Sequence, residues 1–329
     1  MLQQETNQSE GASCCAEQRR QLAGERQWDE LYPFAPHFIT LPAHSHRGKS
    51  STGYAYHYVD EMPSGESTAK LQTLLFVHGN PTWSFHWRRL VGQFQHQFRC
   101  VAPDHLGCGY SEQQPHPLQL VDHIDNLVQL IEQLDLQQIT LVAQDWGGAI
   151  GLGAAQRLNK RFERLVLFNT GAYPPWFIPW RIRACRGPLL GRVAVQGLGL
   201  FSRAALRMTL GRTARLDPRV EQAYLAPYDS WQRRAAVYQF VRDIPTHESH
   251  PTWRTLAEIE AALPLLADQP KLLVWGMRDW CFTPACLDKF TSVWPQAEVS
   301  RLADAGHWVV EDAPDEVAQK VGDFLARTG

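Results

Sequence analysis

Ala143-Gln144-Asp145-Trp146-Gly147 stands where the apolar run that starts at Ile139 gives way to a helix-forming stretch, Ala149 to Leu158. A short β-branched run bounded by polar and glycine residues reads as a buried strand. The unit is then strand, tight turn and helix, with the small-x-nucleophile-x-Gly spacing of a nucleophile elbow. Ala143 and Gly147 suit a turn in which neighbouring backbones come close. The nucleophile slot holds Asp145 rather than serine. A carboxylate there can displace a leaving group from saturated carbon and form an ester, which base-activated water can cleave. The plainer alternative is an aspartate that caps the following helix.

Two more apolar runs end in residues with chemical potential. Leu74-Leu75-Phe76-Val77 leads into His78-Gly79-Asn80-Pro81, and Leu272-Leu273-Val274-Trp275 leads into Gly276-Met277-Arg278-Asp279. Phe98 to Ala102 and Leu165 to Phe168 are further strand candidates. Helical patterns lie between them: Leu118 to Leu134 carries apolar residues near the 3.6 period, and Glu316 to Leu325 gives a closing helix. Strands alternating with helices imply a mainly parallel sheet covered on both faces. Ligands in such sheets sit beyond the carboxyl ends of the strands, so the strand-end motifs should converge on one place.

The roles follow from chemistry. The backbone N–H of Asn80, with that of Trp146, can form an oxyanion hole. The side chains of Asn80 and Trp146 add neutral N–H donors that suit a leaving anion such as a halide or carboxylate. The alternative for Asn80 is a turn residue before Pro81. His307, in Ala305-Gly306-His307-Trp308, is the expected base, and His78 is expected to be scaffold. Asp279 is the expected acid that orients His307 through a hydrogen bond. Its rivals are Asp304, close to His307 in sequence and expected on its strand, and the position after Phe168. The latter holds Asn169, which carries no charge to stabilise an imidazolium. Asp104 in Pro103-Asp104-His105-Leu106-Gly107 is expected to fix a loop.

Tyr173 to about Trp253 breaks the strand–helix rhythm. Residues 176 to 220 hold nine arginines against a single acid, Asp217. This stretch is expected to be a helical cap inserted in the core. The expected organisation is a mobile polar tail over 1–30, a core over 31–172 and 254–329, and a cap over 173–253.

The 329 residues are 44% hydrophobic and 20% charged, ordinary for a globular chain, and the formal net charge of −2 gives no reason to expect nucleic acid as a partner. No run of 18 apolar residues is present, so no membrane span is expected. Met1 to Arg26 has no apolar segment of the secretory kind. The seven cysteines fit no zinc spacing and read as free thiols, Cys14 and Cys15 in the tail among them, which suits a reducing cytoplasm. No glycine-rich nucleotide motif occurs, so no cofactor is expected.

With these residues in view, the chain resembles the haloalkane dehalogenase-like α/β-hydrolases. The resemblance rests on His78-Gly79-Asn80-Pro81-Thr82-Trp83, Gln144-Asp145-Trp146-Gly147-Gly148, Gly276-Met277-Arg278-Asp279-Trp280 and Gly306-His307, and covers roughly Tyr32 to Leu325. It implies an α/β-hydrolase fold with an inserted helical cap, and the chain order nucleophile, acid, histidine. It also implies Asp145 as nucleophile, His307 as base, Asp279 as acid, and Asn80 with Trp146 as the leaving-anion clamp. Epoxide hydrolases share the aspartate nucleophile. They usually carry another residue where Asn80 stands, and use two cap tyrosines as acids; Tyr224, Tyr228 and Tyr238 are present here.

A narrower likeness lies in Cys185-Arg186-Gly187-Pro188-Leu189-Leu190-Gly191, Gly199-Leu200-Phe201-Ser202-Arg203, Ala226-Pro227-Tyr228-Asp229, Asp243-Ile244-Pro245 and Tyr32-Pro33-Phe34. These resemble the β-lactone decarboxylases of bacterial long-chain olefin biosynthesis. That likeness implies conversion of a cis-3,4-dialkyl β-lactone to a cis-alkene and CO2, with no cofactor. It also implies assembly with the upstream enzymes of the pathway. Haloalkane dehalogenation is the alternative, and epoxide hydrolysis a second one. The cap arginines can face acidic lipid, a partner enzyme, or only solvent.

Overall fold

Five consecutive buried residues, Thr73 to Val77, have no face to offer to water, so they belong to a strand covered on both sides. The computed structural model describes residues 28–42, 53–65, 71–211 and 214–329. Most of the expected polar tail, with Cys14 and Cys15, lies outside the described residues, and Trp28 already packs against the core.

The strands are β1 (His37–Leu41), β2 (Tyr54–Glu61), β3 (Thr73–Val77), β4 (Arg99–Pro103), β5 (Ile139–Asp145), β6 (Phe162–Thr170), β7 (Lys271–Gly276) and β8 (Glu298–Leu302). They form one sheet in the order β1-β2-β4-β3-β5-β6-β7-β8. β1 pairs with β2, and β2 with β4, antiparallel; every other pairing is parallel. The chain runs from β3 outward to β4, then crosses back to β5 on the other side of β3. That reversal is the topological switch, and it leaves a crevice between the ends of β3 and β5.

The helices of the core are α1 (Arg88–Phe94), α2 (Leu120–Gln133) and α3 (Trp146–Arg157). Between β6 and β7 come the cap helices α4 (Trp180–Cys185), α5 (Leu200–Met208), α6 (Pro218–Leu225) and α7 (Ala235–Asp243). Then follow α8 (Pro251–Ala262), α9 (Pro284–Val293) and α10 (Pro314–Thr328). The helix expected from Leu118 starts at Leu120, because Gln119 and Asp122 form a capping box there.

Alternation along the strands splits the core in two. Leu75, Val77, Leu141 and Leu165 face α2 and α3, while Leu74, Phe76, Val142 and Phe168 face α1 and α10. Each fully buried leucine or phenylalanine contributes roughly 1.5–3 kcal/mol of transfer free energy. α3 lies close on the sheet: a Cβ at Gly147 would stand 2.1 Å from the Val77 carbonyl oxygen and 2.7 Å from that of His78. Both are backbone atoms of the β3 end, so they cannot give way without disturbing the crevice.

Gly147→Ala is therefore expected to destabilise the fold by about 1–3 kcal/mol through overpacking. Thermal unfolding checks this; an unchanged melting temperature would show that α3 has room to retreat.

Candidate active site

β5 ends on Asp145 in a conformation that few side chains adopt, with φ 54° and ψ −130°. Such backbone costs on the order of 1–3 kcal/mol and persists only where the surroundings hold it. Here α3 starts at the next residue, and the Thr170 hydroxyl donates to the Asp145 carbonyl. The turn lifts the carboxylate out of the strand end toward the crevice. There the backbone N–H of Asn80 donates to Asp145 Oδ1 at 2.8 Å. Of the two backbone donors expected at this oxygen, it is the Asn80 N–H that makes the bond in the resting site. The approach needs a glycine beside it, since a Cβ at Gly79 would fall 2.2 Å from Oδ1. The other oxygen, Oδ2, faces His307 Nε2 at 3.5 Å.

His307 lies on the turn between β8 and α10. Its Nδ1 is 2.7 Å from Asp279 Oδ2, and its ring stacks on Phe282. Asp279 Oδ1 accepts from the Cys281 N–H, so both carboxylate oxygens are engaged. The rivals are placed elsewhere. Asn169 bonds through both side-chain atoms to Gly276, tying the end of β6 to that of β7. Asp304, expected on the strand, lies just past β8, 85% exposed, and pairs with Arg278. Asp104 accepts from the backbone N–H groups of Ser84 and Tyr110 and pairs with His57, so it does fix its loop.

Burial alone would push the His307 pKa down. The Asp279 charge, the hydrogen bonds to Asp145 and Asp279 and the Asp145 charge together outweigh it and lift His307 to about 10. In the resting site the imidazole is therefore a cation between two carboxylates.

These groups stand at the floor of a cavity of ≈ 440 Å³. Its walls are mainly apolar, with Trp176, Phe201, Met208, Leu256, Trp280 and Phe282 among them. Asn80 and Trp146 line the floor beside Asp145 and His307. One Asn80 amide proton is used on the Val237 carbonyl at 3.2 Å, which leaves the other for a ligand. The Trp146 indole N–H has no acceptor among the described residues. The cap tyrosines point elsewhere: the Tyr228 hydroxyl donates to the Thr82 carbonyl, the Tyr238 hydroxyl to the Gly187 carbonyl, and the Tyr224 hydroxyl to Glu311.

Sequence reasoning missed what lies behind His307. Gln144 donates to the His307 carbonyl and contacts His86 Nε2 through its own oxygen. His86 Nδ1 meets the Tyr224 hydroxyl at 2.8 Å, and that hydroxyl reaches Glu311 at 2.5 Å. Glu311 is held by both terminal nitrogens of Arg88, with both side chains about 4% exposed. Burial drives His86 down to about 3 against the pull of Glu311, so this imidazole is neutral. A buried chain thus joins a cap helix, an ion pair, the residue before Asp145 and the backbone of His307. The one signal for it in the sequence was Gln144 within the elbow motif.

The alpha/beta hydrolase fold family pattern matches residues 72–314. The chain is 36% identical over 309 residues, 91% of each chain, to the cis-3-alkyl-4-alkyloxetan-2-one decarboxylase of Shewanella oneidensis. It is 31% identical to haloalkane dehalogenase 2 of Mycobacterium tuberculosis, covering 89% of this chain and 95% of that one. The crystal structure of haloalkane dehalogenase DbeA from Bradyrhizobium elkani superposes with a TM-score of 0.78 at 25% identity, over 90% of this chain and 98% of the other.

The position of His307 gives a pH dependence with a definite sign. Its folded pKa, about 10, lies above the value of 6.5 for a free histidine. The stabilisation is complete below about pH 6.5 and is lost as pH rises through about 10. Melting temperature should fall across that window, and His307→Gln should flatten the fall. An equally steep decline in the variant would place the titrating group elsewhere.

Proposed function

The chain belongs to the alpha/beta hydrolase fold family, and from that we propose that it decarboxylates cis-3,4-dialkyl β-lactones, with Asp145 as nucleophile. The observation that carries this reading is the likeness to a cis-3-alkyl-4-alkyloxetan-2-one decarboxylase along 91% of both chains. The chemistry of the site agrees with it.

Asp145 Oδ2 attacks C4, the ring carbon that bears oxygen. The C4–O bond breaks and its electron pair stays on the released carboxylate. That anion takes the neutral N–H donors of Trp146 and Asn80 at the cavity floor. Backside attack sets the new C4–Oδ2 bond antiperiplanar to the carboxylate. The C3–CO2 bond then breaks, its pair becomes the C3–C4 double bond, and the C4–Oδ2 pair returns to Asp145. The two alkyl groups lie on one side throughout, so the alkene is cis without bond rotation. No water enters and no proton is transferred. An apolar wall helps the last step, because a carboxylate that becomes neutral CO2 loses less solvation in a dry site. The His307 cation stabilises Asp145 as it departs with the bonding pair, and Asp279 fixes that cation in place. The cap supplies the walls that hold the alkyl chains.

Haloalkane dehalogenation is the second reading, favoured by the same pair of neutral donors. It needs a further step: once Asp145 is esterified its charge is gone, the His307 pKa falls, and the imidazole can take a proton from water. The developing oxyanion would be Oδ1, already seated on the Asn80 N–H. Epoxide opening has less support, since Tyr224, Tyr228 and Tyr238 do not line the cavity.

Purified protein given a dialkyl cis-β-lactone should yield alkene by gas chromatography, faster than it releases bromide from a bromoalkane. Asp145→Asn should lower both by at least about 10³-fold. His307→Ala should still form alkene, more slowly, while intact mass shows an alkyl ester accumulating with the bromoalkane. Turnover of the lactone in heavy-oxygen water should leave Asp145 unlabelled. Label in the Asp145 peptide would mean hydrolysis and would overturn the fragmentation route; bromide release with intact lactone would make the dehalogenase reading the right one.

A further inference from the structure

Among the described residues, every exposed large apolar side chain but Leu265 falls between Trp176 and Trp231, in the cap. Leu190 is 87% exposed, Leu189 78% and Trp180 72%. A folded chain does not leave such a group in water without a use for it. The charges along most of this region have one sign, the acids Asp217, Glu221 and Asp229 coming only towards its end. From Leu165 through Leu216 the sequence has no aspartate or glutamate, while Arg181, Arg183, Arg192, Arg203 and Arg207 all stand exposed there. None of these five has an acidic partner among the described residues. Two lie on neighbouring rings: the Arg181 guanidinium is 5.4 Å from the Trp180 centroid, and that of Arg192 is 5.3 Å from Trp231. The mouth of the cavity opens into this patch, since Trp176, Phe177, Trp180, Arg181 and Leu200 are both exposed and part of its wall.

We propose that this face of the cap docks on an anionic phospholipid surface, with the cavity mouth against the bilayer. Exposed leucines and tryptophans interleaved with arginines are the composition of a segment that lies in a membrane interface. The apolar groups enter the acyl boundary, and the guanidinium groups stay level with the phosphates on their long stems. A protein partner or a second copy of this chain is less well matched. Specific protein interfaces carry a polar rim that pairs both signs and supplies directed hydrogen bonds; the stretch from Leu165 through Leu216 has no acid for a second copy's arginines to meet, and Asp229 beside Trp231 already pairs with Arg233. No helix of the described residues is long and apolar enough to cross a membrane, so the contact is peripheral. Docking stands on the patch alone. Its use, the entry of an alkyl substrate from lipid without a passage through water, rests on the catalytic reading above.

Flotation of the full-length protein with vesicles tests the docking without any turnover assay. Protein should float with equimolar phosphatidylcholine and phosphatidylglycerol, and remain unbound with phosphatidylcholine alone. Salt at about 1 M, where the screening length is about 3 Å, should weaken the binding. Leu189→Glu with Leu190→Glu should lower the bound fraction about tenfold or more. Arg183→Glu with Arg203→Glu should lower it about twentyfold or more, at about fivefold for each lost charge. None of these four side chains lines the cavity, so both double variants should keep wild-type melting and turnover of a short-chain substrate. Absence of flotation with the anionic vesicles overturns the proposal. So does flotation that the leucine pair leaves unchanged, which would place the binding elsewhere, for example in residues 1–27. A dimer in solution that the leucine pair dissolves, with no vesicle binding, would show the patch to be a protein interface and would also overturn it.

Discussion

A carboxylate at the end of a buried strand can act as a nucleophile only if one oxygen is restrained and the other is left facing the substrate. The bond from the Asn80 N–H to Asp145 Oδ1 does this, and much of the structure exists to make it. It needs β3 and β5 as neighbours, so that the turn after one meets the residue that ends the other. It needs Gly79, because any side chain there would overlap the carboxylate. It needs the left-handed Asp145 backbone, which turns the side chain upward and costs free energy that the packing of α3 and the Thr170 hydrogen bond offset.

The charge of His307 is set by opposing forces. Burial penalises a charged imidazole, and two carboxylates over-compensate for it. The resting site is thus a line of three groups, Asp279, His307 and Asp145, with one positive charge between two negative ones. That arrangement changes character during a reaction. Any step that esterifies Asp145 removes one of the charges that hold the proton on His307. A route that ends by breaking the same C–O bond has no need for the base to change state, whereas a hydrolytic route does.

Behind the site, the Arg88–Glu311 pair is buried on both sides, and its desolvation is met by bidentate geometry and by the Tyr224 hydroxyl. Tyr224 belongs to a cap helix, and Gln144 precedes Asp145. The cap is therefore fastened to the reacting groups by a chain of directed bonds, while its outer face is apolar and cationic.

The strands β3, β5 and β7, with the motifs that follow them, were legible from the sequence because a strand buried on both sides writes itself as an uninterrupted apolar run. That Asp145, Asp279, His307, Asn80 and Trp146 would converge on one place was legible because the turn motifs that follow buried strands are local properties. The same logic explains what was overlooked. β1 and β2 form the antiparallel edge, with tyrosines and histidines where apolar residues were sought, and β8 buries only Leu302 in full. The bond between Arg88 and Glu311 spans 223 positions, and that between Trp83 and the Ala223 carbonyl spans 140. No periodicity registers such pairs. By itself the sequence determined the order of the main elements, the aspartate in the elbow position and the excess of arginine in the first part of the cap. Only the tertiary structure decided which oxygen of Asp145 is restrained, which carboxylate reaches His307, where the cap tyrosines point, and that the exposed cap side chains ring the mouth of the cavity. Each of these is a distance between segments far apart in the chain, and such distances come into being only when the crossover at the switch point and the closing of the cap bring those segments together.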